Sequence, residues 1–281
     1  MPTIKQLISQ NAELGSLPAI VTRIYEVIAN PKSSAIQIGR IINEDPALAG
    51  RLLKVVNSPF YGFRSKVDTV YRAIALIGHK ELYNLVLATS AVKKFSGVPN
   101  DLVDMKSYWH GSLYCGILAR ILASYRRESE IERYFVIGLL HDIGSLLLYS
   151  LEPERSAAAL ERSKKEQIPI WQSEQEEFGF DHAELGAELL KCWGLPSTIV
   201  EAVHYHIRPS YAPTHEKEAT LVHLAWNIVK LEIEKKAHLP DNPDIDISAA
   251  WKNAGIDCEA LPEILEKAAQ HYDTARRAIL D

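Results

Sequence analysis

The residues with the most chemical promise are His141 and Asp142, side by side in the apolar run Leu139-Leu140-His141-Asp142-Ile143-Gly144. An imidazole next to a carboxylate, late in an apolar helix, is expensive to bury unless both find partners. The pair can give a divalent metal one nitrogen and one bridging oxygen, provided other helices bring the remaining ligands. Candidates for that are His110 on the preceding helix, and His182 and His206 at the starts or ends of later helices. The same five residues, His110, His141, Asp142, His182 and His206, can equally form a polar core. In that reading Asp142 accepts hydrogen bonds from imidazole nitrogens and holds the helices in register. His79, His215, His238 and His271 follow no pattern and are expected at the surface, while His204 and His223 lie close enough in sequence to stand in for a missing ligand.

The elements that must position these side chains are helices, because apolar residues recur at helical spacing almost throughout. Ile20, Ile24, Val27 and Ile28 form one stripe, and Ile38, Ile41 and Ile42 begin another. Leu17-Pro18 opens the first, Asn30-Pro31 closes it, Ser33-Ser34 caps the next, and Asp45-Pro46 starts a third at N-cap and first-turn positions. The tract 57–65, with Pro59, Phe60, Tyr61, Gly62 and Phe63, reads as an ordered loop with aromatic anchors. Helices resume at 70–77 and 80–95, separated by Gly78. Gly97, Pro99, Asn100 and Asp101 mark the strongest interior boundary. Beyond it the pattern predicts helices over 104–124, 131–150, 153–166, 171–178, 182–193, 197–204 and 218–234, a polar connector over 240–246, and two terminal helices.

Composition narrows the classes. The 281 residues are 47% hydrophobic with a formal net charge of -5, so there is material for a real core and no global basic field to attract nucleic acid or an anionic membrane. Cys115, Cys192 and Cys258 are widely spaced, which disfavours both a disulfide framework and a zinc ribbon. The N-terminus lacks the apolar run of a signal peptide, and no stretch reaches about 20 apolar residues. A reduced, cytoplasmic protein is the expectation.

The order His110, His141-Asp142, His182, His206 resembles the ligand order of the HD superfamily of metal-dependent phosphohydrolases, including its cyclic-di-GMP-cleaving HD-GYP branch. Leu17-Pro18, Asp45-Pro46-Ala47-Leu48, Leu53-Lys54-Val55-Val56-Asn57-Ser58 and Ala73-Ile74-Ala75-Leu76-Ile77-Gly78 are similar to the N-terminal signature of HDOD domains. Trp109-His110, the run Gly138 to Gly144 and Val222-His223-Leu224-Ala225 extend that resemblance over roughly residues 14 to 230. It implies an all-α, two-lobed multi-helical bundle: an N-terminal lobe over 1–100, an HD-like lobe over 101–236, and a helical extension over 237–281 packed on the HD-like lobe. It also implies a bacterial signalling role.

Departures from the HD pattern bear on catalysis. Where catalytic HD proteins offer a further aspartate after Val222-His223-Leu224-Ala225, this chain has Trp226, and the adjacent Asn227 is turned by about 100 degrees and is neutral. His206-Ile207 replaces paired histidines, Ser145 stands where many HD phosphohydrolases have a lysine, and no GYP tripeptide follows His206. A hydrolytic metal must both generate hydroxide and offset phosphoryl charge, and lost ligands weaken both roles. The expectation is therefore a regulatory module with a degenerate metal site and no required cofactor, binding a signalling protein in trans or a nucleotide second messenger, with nucleic acid and membrane disfavoured. The competing expectation is a phosphohydrolase acting on a nucleotide or cyclic dinucleotide. There a divalent Fe, Mn, Zn or Mg would sit on His110, His141 and Asp142, with Asp142 bridging to a second ion on His182 and His206.

Overall fold

Every regular element among the described residues is helical, and a computed structural model of the chain describes residues 3–11, 15–30, 34–59, 61–96, 102–237 and 247–280. The chain divides into two compact units. One joins Met1–Ser16 to Val98–Pro262, and the other joins Leu17–Gly97 to Glu263–Asp281. We call them the histidine lobe and the N-terminal lobe. The grouping departs from the expected boundaries at both ends of the chain. Helix α1 (Ile4–Gln10) contacts the 182–192 helix of the histidine lobe, and Trp193 Nε1 donates to the Gly15 carbonyl at 3.1 Å. The stretch Glu263–Asp281, expected on the HD-like lobe, belongs with the N-terminal lobe. Both are amphipathic end segments, and short stripes of that kind do not encode which core they cover.

In the N-terminal lobe, α2 (Ala19–Ala29), α3 (Ala35–Asn43), α4 (Pro46–Val56), α5 (Val70–Ile77) and α6 (His79–Ser96) pack around Val21, Ile24, Ile42, Leu48, Leu52, Val56, Leu82 and Val86. Their starts follow from local chemistry. Ser34 and Gln37 form a reciprocal capping box on α3, the Asp45 carboxylate accepts from Leu48 N at 2.9 Å with Pro46 in the first turn of α4, and Thr69 caps α5. Gly78, at φ 87°, breaks α5 from α6. Asn57 ends α4 and closes the following loop, since its side chain donates to the Val67 carbonyl and accepts from Val67 N, both at 2.7 Å. Phe60, Pro31, Ser33 and the 97–101 boundary lie outside the described residues, as do His238 and the connector over 240–246.

The histidine lobe is built on α7 (Met105–Tyr125), which packs along α8 (Glu132–Leu140). Gly116 and Gly138 meet there, and a Cβ at Gly138 would lie 2.7 Å from the Gly116 Cα. After α8 come α9 (Ile143–Leu151), α10 (Pro153–Glu166), α11 (Ile170–Phe178), α12 (His182–Cys192), α13 (Ser197–His204), α14 (Glu216–Ala237) and α15 (Ile247–Ala254); α16 (Leu261–Ile279) runs into the N-terminal lobe. The helix expected over 131–150 is two helices, broken by a turn at His141 and Asp142. Contrary to the sequence expectation, Glu132–Leu151 does pass as a membrane span by length and composition. It is 78% buried and carries that break, as befits the apolar centre of a lobe.

Candidate functional site

The turn between α8 and α9 aims two polar side chains into the lobe. His141 is fully buried, and its Nδ1 is 2.7 Å from the Gly138 carbonyl, which fixes the proton on Nδ1 and leaves Nε2 bare. His206, at the end of the turn after α13, repeats this device: Nδ1 reaches the Val203 carbonyl at 2.7 Å and its buried Nε2 has no partner. The two rings meet edge to face with centroids 5.1 Å apart.

His182 opens α12. Asp181 caps that helix in a box with Glu184, is itself fully buried, and is held by Arg208, which also lies over the Trp171 ring. The His182 ring is 5.5 Å from that of His206, and its Nε2 is 3.9 Å from Asp142 Oδ1. Its Nδ1 is 2.6 Å from Glu174 Oε2, an oxygen that also accepts from the His182 backbone at 3.0 Å. Gly144 and Gly186 make this approach of α9 and α12 possible. A Cβ on Gly144 would fall 1.9 Å from the His182 carbonyl oxygen.

Four of the five sequence candidates are thus joined by described contacts: His141, Asp142, His182 and His206. The fifth, His110, is half-buried on α7, one residue before Gly111, whose Cβ would touch the Trp226 ring at 3.6 Å. Of the reserve candidates, His204 stacks on Tyr205 at 4.3 Å. His223 donates from Nδ1 to the His206 carbonyl at 2.7 Å and accepts from Asn227 Nδ2 at 3.0 Å. His79 is exposed as expected, whereas His215 and His271 are half-buried. Glu174 was missed by sequence reasoning. It lies mid-helix in a polar stretch, Gln172 to Glu177, that looks solvated, yet its side chain is 2% exposed.

Trp226 occupies the remaining side. Its ring centroid is 4.6 Å from that of His141, and Lys230 Nζ stands 5.5 Å from its own ring centroid. Asn227, the one neutral substitute for an acid here, is committed to His223.

The electrostatics follow from burial and partners. Burial drives the His141 pKa down to about 3 against the Gly138 hydrogen bond, and burial, aided by His141 and His182, holds His206 well below its usual value. For His182 burial also pulls downward, but the charge and hydrogen bond of Glu174, with Asp142 and Asp181, prevail and raise it to about 9. Burial raises Asp142, opposed by His182 and by the hydrogen bond from Ser145. At neutral pH His141 and His206 are neutral imidazoles and His182 is an imidazolium.

The HDOD domain family matches residues 14–209. An HDOD domain protein of unknown function from Geobacter sulfurreducens has a similar fold with a TM-score of 0.71 at 21% identity, covering 92% of each chain. A Shewanella amazonensis protein provisionally named a phosphohydrolase gives 0.74 at 24% identity, over 96% of this chain and 98% of that one. A Marinobacter aquaeolei protein provisionally named for signal transduction gives 0.70 at 22%, over 94% of this chain and 59% of that one. An uncharacterized Treponema pallidum protein is 27% identical over 206 residues, which are 73% of this chain and 40% of that protein, so the chain spans less than half of that relative. With the family match covering most of its length and the helical fold shared, this chain belongs to the HDOD domain family.

Proposed function

We propose that the chain is a signal-transduction module whose histidine centre does not hydrolyse phosphate esters and which acts by binding a partner protein or a nucleotide. The observation that carries this is Trp226 packed with its ring centroid 4.6 Å from that of His141, on the helix position where an HD phosphohydrolase would bring a closing carboxylate. A divalent ion suits the donor types present: imidazole nitrogens with Nδ1 fixed by second partners, and one carboxylate. Spacing and charge do not suit it. Among the described residues no three His, Cys, Asp or Glu side chains stand as a metal-holding group. Among the described residues the carboxylates beside the imidazoles are Asp142, whose Oδ1 accepts from Ser145, and Glu174, whose Oε2 meets His182. A hydroxide-generating pair of ions needs more anionic oxygen than this. The same centre works as a registry device, tying α9, α12, α13 and the α8 turn through buried, oriented rings.

The test is direct. Purified protein is assayed for metal by elemental analysis and for turnover of cyclic and linear dinucleotides and of a chromogenic phosphodiester with added manganese or iron. The expected result is less than one ion per chain and no turnover above the level of Asp142→Ala. Enzyme-like turnover that Asp142→Ala abolishes would overturn the reading. Trp226→Asp sharpens it, since restoring a carboxylate should raise metal content above that of the parent.

A further inference from the structure

The chain's net charge of -5 is the sum of two opposite halves. Leu17–Gly97 with Glu263–Asp281 holds fourteen Lys and Arg against nine Asp and Glu, whereas Met1–Ser16 with Val98–Pro262 holds seventeen against twenty-seven. The disparity is concentrated further. Between positions 51 and 72 stand Arg51, Lys54, Arg64, Lys66 and Arg72, with Asp68 the one acid.

The fold gathers these residues. Arg51 and Lys54 are three apart on α4 and so share a face. Asn57, three residues further, bonds both backbone groups of Val67, which brings Lys66 to the end of α4. Arg72 donates to Ser65 Oγ at 3.2 Å, tying the first turn of α5 to the same loop. Lys54, Arg64, Lys66 and Arg72 are all exposed, and none has a carboxylate partner among the described residues. In the histidine lobe, by contrast, Arg120, Arg133, Arg155, Arg162 and Arg208 each pair with Glu or Asp.

Aromatic rings are interleaved with the cations. Tyr61 and Phe63 stack in parallel, 6.0 Å apart at 5°, immediately before Arg64. Tyr71, next to Arg72, lies over Gly39 of α3, where a Cβ would come within 2.4 Å of the ring, and remains 43% exposed.

We propose that the surface made by the end of α4, the 57–67 loop and the start of α5 binds single-stranded nucleic acid, with Lys54, Arg64, Lys66 and Arg72 on phosphates and Tyr71 beneath a base. Two arginine forks and two lysines suit phosphate oxygens, and clustered cations with no acidic partners release counterions when they meet a polyanion. The exposed ring of Tyr71 among them selects an unpaired base, since a duplex hides its base faces and offers phosphate alone. An anionic membrane would be met by protruding apolar side chains beside the cations, but Phe63 is half-buried against Tyr61. This site is remote in chemistry from the histidine centre and holds whether or not that centre hydrolyses anything.

The experiment uses the full chain and fluorescein-labelled oligothymidylate and oligouridylate of about 20 nucleotides, long enough for a site of this size. Anisotropy titrations run from 50 to 200 mM salt, the range over which counterion release is large. The expected result is saturable binding that weakens with salt. Lys54→Ala/Arg64→Ala/Lys66→Ala should lose roughly tenfold or more and flatten the log-log salt slope by about 2. Tyr71→Ala should lose roughly fivefold with the slope unchanged, and Tyr71→Phe should restore binding. Arg162→Ala, on an exposed arginine already paired with Glu166 and Glu176, should change nothing. Circular dichroism confirms that each variant is folded. The proposal is overturned by no binding at 50 mM salt, by a triple variant that binds like the parent, by duplex of equal length binding as tightly, or by phosphatidylserine vesicles capturing the protein while oligonucleotides do not.

Discussion

The histidine centre and the basic face of the 57–67 loop solve opposite problems with charge. In the centre, Glu174, His182, Asp181 and His206 are almost wholly withdrawn from water, and every charged one among them is matched: Glu174 by His182, Asp181 by Arg208. Burial leaves no choice, because an unmatched ion there would neutralise or unfold the lobe. On the basic face, Lys54, Arg64 and Lys66 carry their charge unmatched because water pays the solvation, and the same lack of partners keeps them available to a ligand. The difference teaches where charge is free to act: in the buried network each ion is matched by another, while the exposed cations have capacity left for a ligand.

The sharpest way to break that contrast is at glycine. Gly144→Ala should drive a Cβ into the His182 carbonyl, separate α9 from α12 and cost about 3 kcal/mol or more, read as a lowered urea midpoint. A loss below about 1 kcal/mol would mean that the two helices can part freely and that the centre is not a tight registry device.

Titration should separate the regions next. His141 folds with its pKa at about 3, so its contribution is complete above the unfolded value near 6.5 and is lost as pH falls from 6.5 toward 3. His182, raised to about 9, behaves with opposite sign: its contribution is complete below 6.5 and is lost as pH rises from 6.5 to 9. Stability should therefore peak near pH 6.5, and His141 should weaken the acid side by about 3 kcal/mol at most between pH 6.5 and 4. Chemical denaturation across that range checks it, and His141→Gln/His206→Gln should flatten the acid limb. An acid limb unchanged by the double variant would remove these rings from the account.

Glu174→Gln is expected to act more gently. The amide oxygen can still accept from His182 Nδ1, but the anion is gone, so the His182 pKa should drop below 9 and stability at neutral pH should fall by about 1 to 2 kcal/mol. Proton NMR of the imidazole resonances reads the pKa. If it does not move, Asp142 and Asp181 rather than Glu174 set the charge on His182.

Much of the scaffold was legible because its determinants are local. Asp45-Pro46 announces a helix start and Gly78 a stop, each through a hydrogen bond or a φ angle within a few residues. The adjacency of His141 and Asp142 was equally local. Glu174 was hidden because its burial depends on α12 folding over it, and nothing in Gln172 to Glu177 distinguishes it from Glu176, which is exposed. The break at His141 was hidden because apolar residues run on both sides of it, and periodicity does not register a two-residue turn. The basic face was masked by summation, because the acidic histidine lobe outweighs it in the net charge.

The smallest effect tests the basic face from its scaffold. Gly50 is exposed in the interior of α4, and a Cβ there would meet nothing within 4 Å. Gly50→Ala should therefore add about 0.5 to 1 kcal/mol by removing backbone freedom from the unfolded chain, the reverse of the loss expected at Gly144. Because it changes neither the charge nor the loop closure through Asn57, it should leave oligothymidylate affinity where it was. If stability rises but binding is lost, α4 must flex for the surface to work, and the rigid cluster of Lys54, Arg64, Lys66 and Arg72 is the wrong description of it.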